Sequence, residues 1–249
     1  MAGNQCPGGR PDGAVSSAHF AYNFLRGCDS KAALTSELRS GVRVIKKFDE
    51  RTALLVVDAQ MGVDVLEHWG GRSGRRNNPQ AEANIAQLLQ SWRARHYPVF
   101  FTLHDSREAH SPLKLSLPTG RPKPGLESRP GEVVITKDVN GAFIGTKLEV
   151  QLRRAGVQRL LVTGFFTNFC VETTVRHAGN LAFDTYLAHD ACATTNRIGL
   201  DGTDYDPALV HSVAVASMHG EFCTAIASQD ALGLLEADSP GLQRMQGNE

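Results

Sequence analysis

From residue 51 onward, short apolar runs with no polar alternation are separated by amphipathic stretches, and this pattern restricts the chain to few folds. A strand with one face in water alternates apolar and polar residues, whereas a run without alternation suits a strand buried on both faces. Such runs occupy 52–57, 98–103, 133–136, 160–163, 185–188 and 223–227. Helical spacing lies between them, with Ile85, Leu88 and Leu89 inside 84–92, then 148–155, 168–182 and a stretch ending at His219. Asp206-Pro207 marks the start of that last helix: an N-cap followed by proline at the first helical position. Strands alternating with helices imply right-handed crossovers. The expected fold is α/β, a three-layer α-β-α arrangement around a mostly parallel, doubly wound sheet of about six strands.

Residues 51–235 read as the folded domain, 1–50 as a partly flexible N-terminal arm and 236–249 as a C-terminal tail. The first fifteen residues are rich in Gly, Pro and small polar residues, and no apolar segment of a secretory signal follows. Asp12, Asp29 and Glu37 argue against a transit peptide, so the arm is expected to pack on the domain or a neighbouring subunit. The loop 105–132 carries Pro112, Pro118, Pro122, Pro124 and Pro130, which fits a lid or a subunit contact. Lys and Arg number 26, as do Asp and Glu, so the chain lacks the basic excess of a phosphate-backbone binder and no nucleic-acid partner is expected. No apolar run approaches the ~20 residues that cross a bilayer, so no membrane partner is expected either. The five cysteines are scattered without CxxC spacing, which fits reduced thiols and a cytoplasmic location.

In open α/β sheets ligands bind beyond the carboxyl ends of the strands, so the residues after each apolar run carry the chemistry. These are Asp58, then His104-Asp105, Lys137, the turn from Gly164 to Cys170, and His189-Asp190. A carboxylate, an amine and a thiol would thus meet at one edge. A thiol becomes nucleophilic on losing its proton, which a helix N-terminus and a nearby cation both favour. Thr167 or Asn168 would cap the helix that carries Cys170. Asp58 would move the thiol proton to a leaving group, and Lys137 would keep Asp58 ionised and steady the thiolate. Backbone N–H groups of the 164–170 turn would receive an oxyanion. Each residue alone has a plainer explanation: Asp58 capping a turn, Lys137 solvated, Cys170 buried and inert. Only the three at neighbouring strand ends point to catalysis. Gly70-Gly-Arg-Ser-Gly74 follows no strand and is a turn rather than a dinucleotide fingerprint, and no GxSxG elbow occurs.

The segments Ala53-Leu-Leu-Val-Val-Asp58-Ala-Gln60, Ile135-Thr-Lys137-Asp-Val-Asn-Gly-Ala-Phe143 and Gly164-Phe-Phe-Thr-Asn-Phe-Cys170-Val-Glu-Thr-Thr174 resemble the isochorismatase-like cysteine hydrolases. Asp190-Ala-Cys-Ala193 and the 216–222 stretch add to the likeness, which covers roughly 50–235. The resemblance implies Asp58 as general acid/base, Lys137 as its electrostatic partner, Cys170 as nucleophile, and an oxyanion hole from the N–H groups of Phe166 and Cys170. It also implies a cis peptide at Phe165–Phe166 and a homodimer or homotetramer. Relatives that cleave vinyl ethers can lack the cysteine, so its presence favours cleavage of a small amide, ureido or related C–N bond through a thioester. Nicotinamidases carry a metal on an Asp-x-His pattern after the second strand. Here those positions are His104 and Ser106, and no metal or other cofactor is expected. A site built from His104, Asp105 and His110 is the alternative. His104 is read as a hydrogen-bond donor in the pocket, Phe165 and Phe166 as a side wall, and Asn140 and Phe143 as further substrate contacts. The rival functions are an isochorismate-type vinyl-ether hydrolase that needs Asp58 alone, and a retired binding protein on the same fold.

Overall fold

Every residue of β1 (Thr52–Val57) is buried, which explains the missing alternation: both of its faces meet helices. The structure, a computed structural model, describes residues 45–236; expectations for 1–44 and 237–249 lie outside the described residues. After β1 come β2 (Val99–His104), β3 (Val133–Lys137), β4 (Arg159–Phe165) and β5 (Asp184–Ala193), then β6 (Arg197–Ile198), β7 (Asp204–Tyr205) and β8 (Thr224–Ile226). Six of these form one sheet in the order β3-β2-β1-β4-β5-β8, and all of its pairings are parallel. β6 and β7 make a small antiparallel pair. The chain winds outward from β1 to β3, then returns to lay β4 on the other side of β1. That reversal opens a crevice at the carboxyl ends of β1 and β4, the place where doubly wound folds bind ligands.

The helices are α1 (Leu66–Gly70), α2 (Ala81–Ala94), α3 (Leu148–Arg154), α4 (Glu172–Asn180), α5 (Pro207–Met218) and α6 (Ser228–Glu236). Successive side chains of a strand point to opposite faces. Leu54 and Val56 accordingly pack with Ile85, Leu88 and Trp92 of α2 and Leu232 and Leu235 of α6. Ala53, Leu55 and Val57 pack with Leu148 and Leu152 of α3, Val175 of α4 and Met218 of α5. Ahead of β1, Phe48 is buried against Trp92 and Tyr186, with ring centroids 5.7 and 5.3 Å away. Its N–H donates to the Leu234 carbonyl, so the chain is anchored before the first strand.

The Asp206 side chain caps α5 by accepting from the Ala208 N–H at 2.8 Å, as the Asp-Pro pair predicts. The stretch expected to be one helix over 168–182 starts instead as a π-helical turn, Thr167–Val171, before α4 takes over. Its first residue is preceded by Phe166, and neither Thr167 nor Asn168 caps it. The Thr167 hydroxyl bonds His211 Nδ1 at 2.9 Å, and Asn168 Oδ1 accepts from the Thr194 hydroxyl. A second difference lies in β5, which runs on to Ala193 after a register shift between Val162 and Gly164. His189-Asp190 therefore sits inside a strand rather than at its end, and Asp190 accepts from the Ser228 N–H and hydroxyl to hold the start of α6. Among the described residues no helix is long and apolar enough to cross a membrane.

Candidate active site

Asp58 is the first residue beyond β1, with φ at 49°, in the left-handed region that few non-glycine residues enter. This backbone turns its carboxylate back over the sheet edge. There the Thr102 hydroxyl donates to Asp58 Oδ1 at 2.5 Å, and the Asp58 N–H donates to Thr102 Oγ1 at 3.2 Å. β4 can close on β1 at this level because residue 164 is glycine: a Cβ there would lie 2.0 Å from the Val57 carbonyl oxygen. On the next strands, His104 and Lys137 are register partners, so their side chains rise on the same side. Lys137 Nζ lies 2.6 Å from Asp58 Oδ2 and 3.0 Å from His104 Nδ1, and donates to the Val139 carbonyl at 3.1 Å. Cys170, fourth residue of the π-turn beyond β4, completes the group. Its Sγ is 3.6 Å from His104 Nδ1 and 3.7 Å from Asn140 Oδ1.

Burial works on all of these charges. It pushes the Asp58 carboxyl up, but Lys137 and the His104 contact outweigh it and bring the pKa down to about 2. Burial pulls Lys137 down, and the facing Asp58 carboxylate more than reverses this, so the amine stays protonated. Burial, with the Asp58 charge adding to it, raises the Cys170 thiol well above its ordinary value despite Lys137. Lys137 lies closest to Asp58, so its charge acts first on the carboxylate.

The thiol lines a cleft of about 320 Å³ whose walls include Trp69, Leu113, Phe165, Phe166 and Phe169. The Trp69 and Phe166 rings meet edge-on at 4.9 Å, and the Phe165–Phe166 peptide is cis. Arg107 stands in the lining, 2.7 Å from Asp138.

A protein-family model described as Isochorismatase domain matches residues 52–230. The chain belongs to the isochorismatase family. YrdC, an isochorismatase family protein of Bacillus subtilis, is 37% identical over 184 residues, 74% of this chain and 96% of the relative. The crystal structure of an isochorismatase-family protein from Chromobacterium violaceum superposes with a TM-score of 0.71 at 42% identity, covering 76% of this chain and 96% of the other. Nicotinamidase 3 of Arabidopsis thaliana is 29% identical over 157 residues, 58% of this chain and 74% of the relative. This chain is thus an isochorismatase-family hydrolase.

Asp58, Lys137, Cys170, His104 and Asn140 converge in this isochorismatase-family chain, and Phe165 and Phe166 line the cleft beside them. Phe143 does not join them. Its ring packs on His177 and Phe183, with centroids 5.2 and 6.1 Å away, because closeness to Lys137 in sequence does not set side-chain direction. His104, Asp105 and His110 do not form a metal-ligating group: Asp105 accepts from the Leu115 N–H, and both Asp105 and His110 are exposed. Among the described residues, the ligand atoms that cluster are those of Asp58, His104 and Cys170, all within 4.8 Å of one another. The Lys137 ammonium already sits against Asp58 and His104, so this donor set does not fit a metal ion.

Four residues escaped the sequence reading. Buried Gln60 holds the His104 backbone from both sides, donating to its carbonyl at 3.0 Å and accepting from its N–H at 2.8 Å. Thr102 fixes Asp58. Trp69 and Phe169 supply cleft wall from separate segments. Gln60 lay within a matched motif, and two residues after Asp58 was the one available signal.

Proposed function

We propose that this hydrolase cleaves a small amide, ureido or related C–N bond through a thioester on Cys170. The observation that carries the reading is a cleft-lining thiol clustered with a lysine-paired carboxylate. The sulfur attacks the substrate carbonyl, and the Phe166 and Cys170 N–H groups receive the oxyanion. Asp58 and Lys137 govern the proton that reaches the departing amine, and water then hydrolyses the thioester. The name of the Arabidopsis relative supports carboxamide cleavage. Aromatic walls, together with an arginine already paired to Asp138, favour an uncharged substrate with a flat apolar group over one rich in carboxylates.

The family match favours one second reading, vinyl-ether hydrolysis, in which Asp58 acts as acid and the thiol is idle. Ammonia release from a panel of small amides, ureas and carbamoyl compounds, with pyruvate release from isochorismate measured alongside, separates the two. The thioester route predicts turnover of at least one C–N compound and its abolition in Cys170→Ala. Full turnover by Cys170→Ala, or isochorismate cleavage that survives it and fails in Asp58→Ala, overturns the reading.

A further inference from the structure

Cys170 sits on a turn that is wound more loosely than an α-helix. In an α-helix its N–H would bond the carbonyl four residues back, that of Phe166. Here the Phe166 carbonyl accepts from the N–H groups of Phe169 at 3.0 Å and Val171 at 3.2 Å, and the Cys170 N–H between them is passed over. The Glu172 N–H likewise reaches back five residues, to the Thr167 carbonyl. A π-turn is rare beside the α-helix it interrupts, so one that persists has partners that hold it.

Those partners meet the first two residues of the turn. Thr167 is buried, and its hydroxyl lies 2.9 Å from His211 Nδ1 on α5. Asn168 Oδ1 accepts from the Thr194 hydroxyl just beyond β5. Thr194 is itself pinned, its N–H donating to Asn77 Oδ1 at 2.7 Å and its carbonyl accepting from the Asn77 N–H at 3.1 Å. His211 has an equally firm base, buried on a helix whose start Asp206 caps. A hydroxyl both donates and accepts, so the Thr167 contact survives either protonation state of the ring. His211 takes no part in the cleft lining, so its route to the chemistry runs through Thr167.

Resting on the thioester reading, we propose that His211 is a positioning residue for the oxyanion: through Thr167 it keeps the turn π-helical and the Cys170 N–H off the Phe166 carbonyl. Without that hold the turn tightens toward an α-helix, and the Cys170 N–H bonds Phe166. A donor spent on the backbone is lost to the substrate oxygen at the moment charge develops there.

The test compares Thr167→Val and His211→Leu, which break the contact, with Thr167→Ser and His211→Asn, which keep a polar group in place. On a C–N compound that wild type turns over, the first pair should lose roughly 10-fold or more in kcat with KM within about 2-fold, because the ground-state carbonyl makes little use of the hole. The second pair should recover most of that loss. In whole chain carrying isotope-labelled cysteine, NMR should show the Cys170 amide exchanging with solvent more slowly in Thr167→Val than in wild type, as it gains the Phe166 acceptor. Unchanged kcat in both breaking variants overturns the His211 assignment alone, as does a loss in Thr167→Ser as deep as in Thr167→Val. A wild-type Cys170 amide as protected as those within α4 overturns it too, and that measurement needs no variant to fold. If wild type turns over none of the C–N panel, the thioester reading falls, while the exchange comparison still judges whether His211 holds the turn.

Discussion

The Lys137 ammonium and the Asp58 carboxylate lie 2.6 Å apart, and both side chains are shut off from water at 1% exposure or less. An ion pair in such a place is costly to form and costlier to break, because the partner left behind keeps its desolvation penalty.

Lys137→Met should therefore destabilise the fold by about 3–5 kcal/mol, and Asp58→Asn by a comparable amount. The double variant should lose less than the sum of the two, since neither charge is then stranded. Urea unfolding midpoints of the four proteins measure this, and strict additivity would mean that the pair is not coupled.

Stability should fall on mild acidification, and His211 should be the main cause. Burial, reinforced by His189, lowers its pKa from 6.5 to about 4, so the folded protein keeps the ring neutral while the unfolded chain protonates. Between these two values the unfolded state holds the extra proton, and lowering the pH across that window should cost up to about 3 kcal/mol. The Asp58 contribution is different: with a folded pKa near 2 against an ordinary 3.8, it is intact above 3.8 and is lost as pH falls through 2. Denaturant midpoints at neutral and mildly acidic pH should separate wild type from His211→Gln, whose slope in this window should be much flatter. Equal slopes would show that another group carries the effect.

Chelation should leave turnover within about 2-fold of its starting value, because Lys137 stands where a cation would have to meet Asp58 and His104. Incubation with a strong chelator followed by ammonia-release assays checks this. Complete loss, reversed by adding zinc or iron, would contradict the reading of the donor set.

The layer architecture was legible because the six apolar runs became the six strands of the sheet; inner strands such as β1 are buried on both faces, while the edge strands β3 and β8 are partly exposed. Asp58, Lys137 and Cys170 were legible for a related reason: the first two directly follow a run, Cys170 lies in the turn beyond one, and the fold rule places strand ends together. Gln60 and Thr102 were not, since their worth lies in hydrogen bonds to groups 44 residues away that no local pattern records. Phe143 shows the converse. Its neighbourhood in sequence was right for the pocket, and its side chain packs elsewhere. The extension of β5 past His189 was hidden by a register shift, which breaks the match between the apolar run and the strand.

The placement of β1 beside β4 divides the reactive groups between two stretches of chain that share no local contacts. Asp58, His104 and Lys137 belong to the first, and Cys170 to the second. Neither stretch is a partial enzyme. The seam where they meet is both the longest-range pairing at the site and the one on which reactivity depends, so the two stretches on either side of β3 would each be inert if separated. The chemical activity of the sulfur then becomes a gauge of whether that seam has zipped shut.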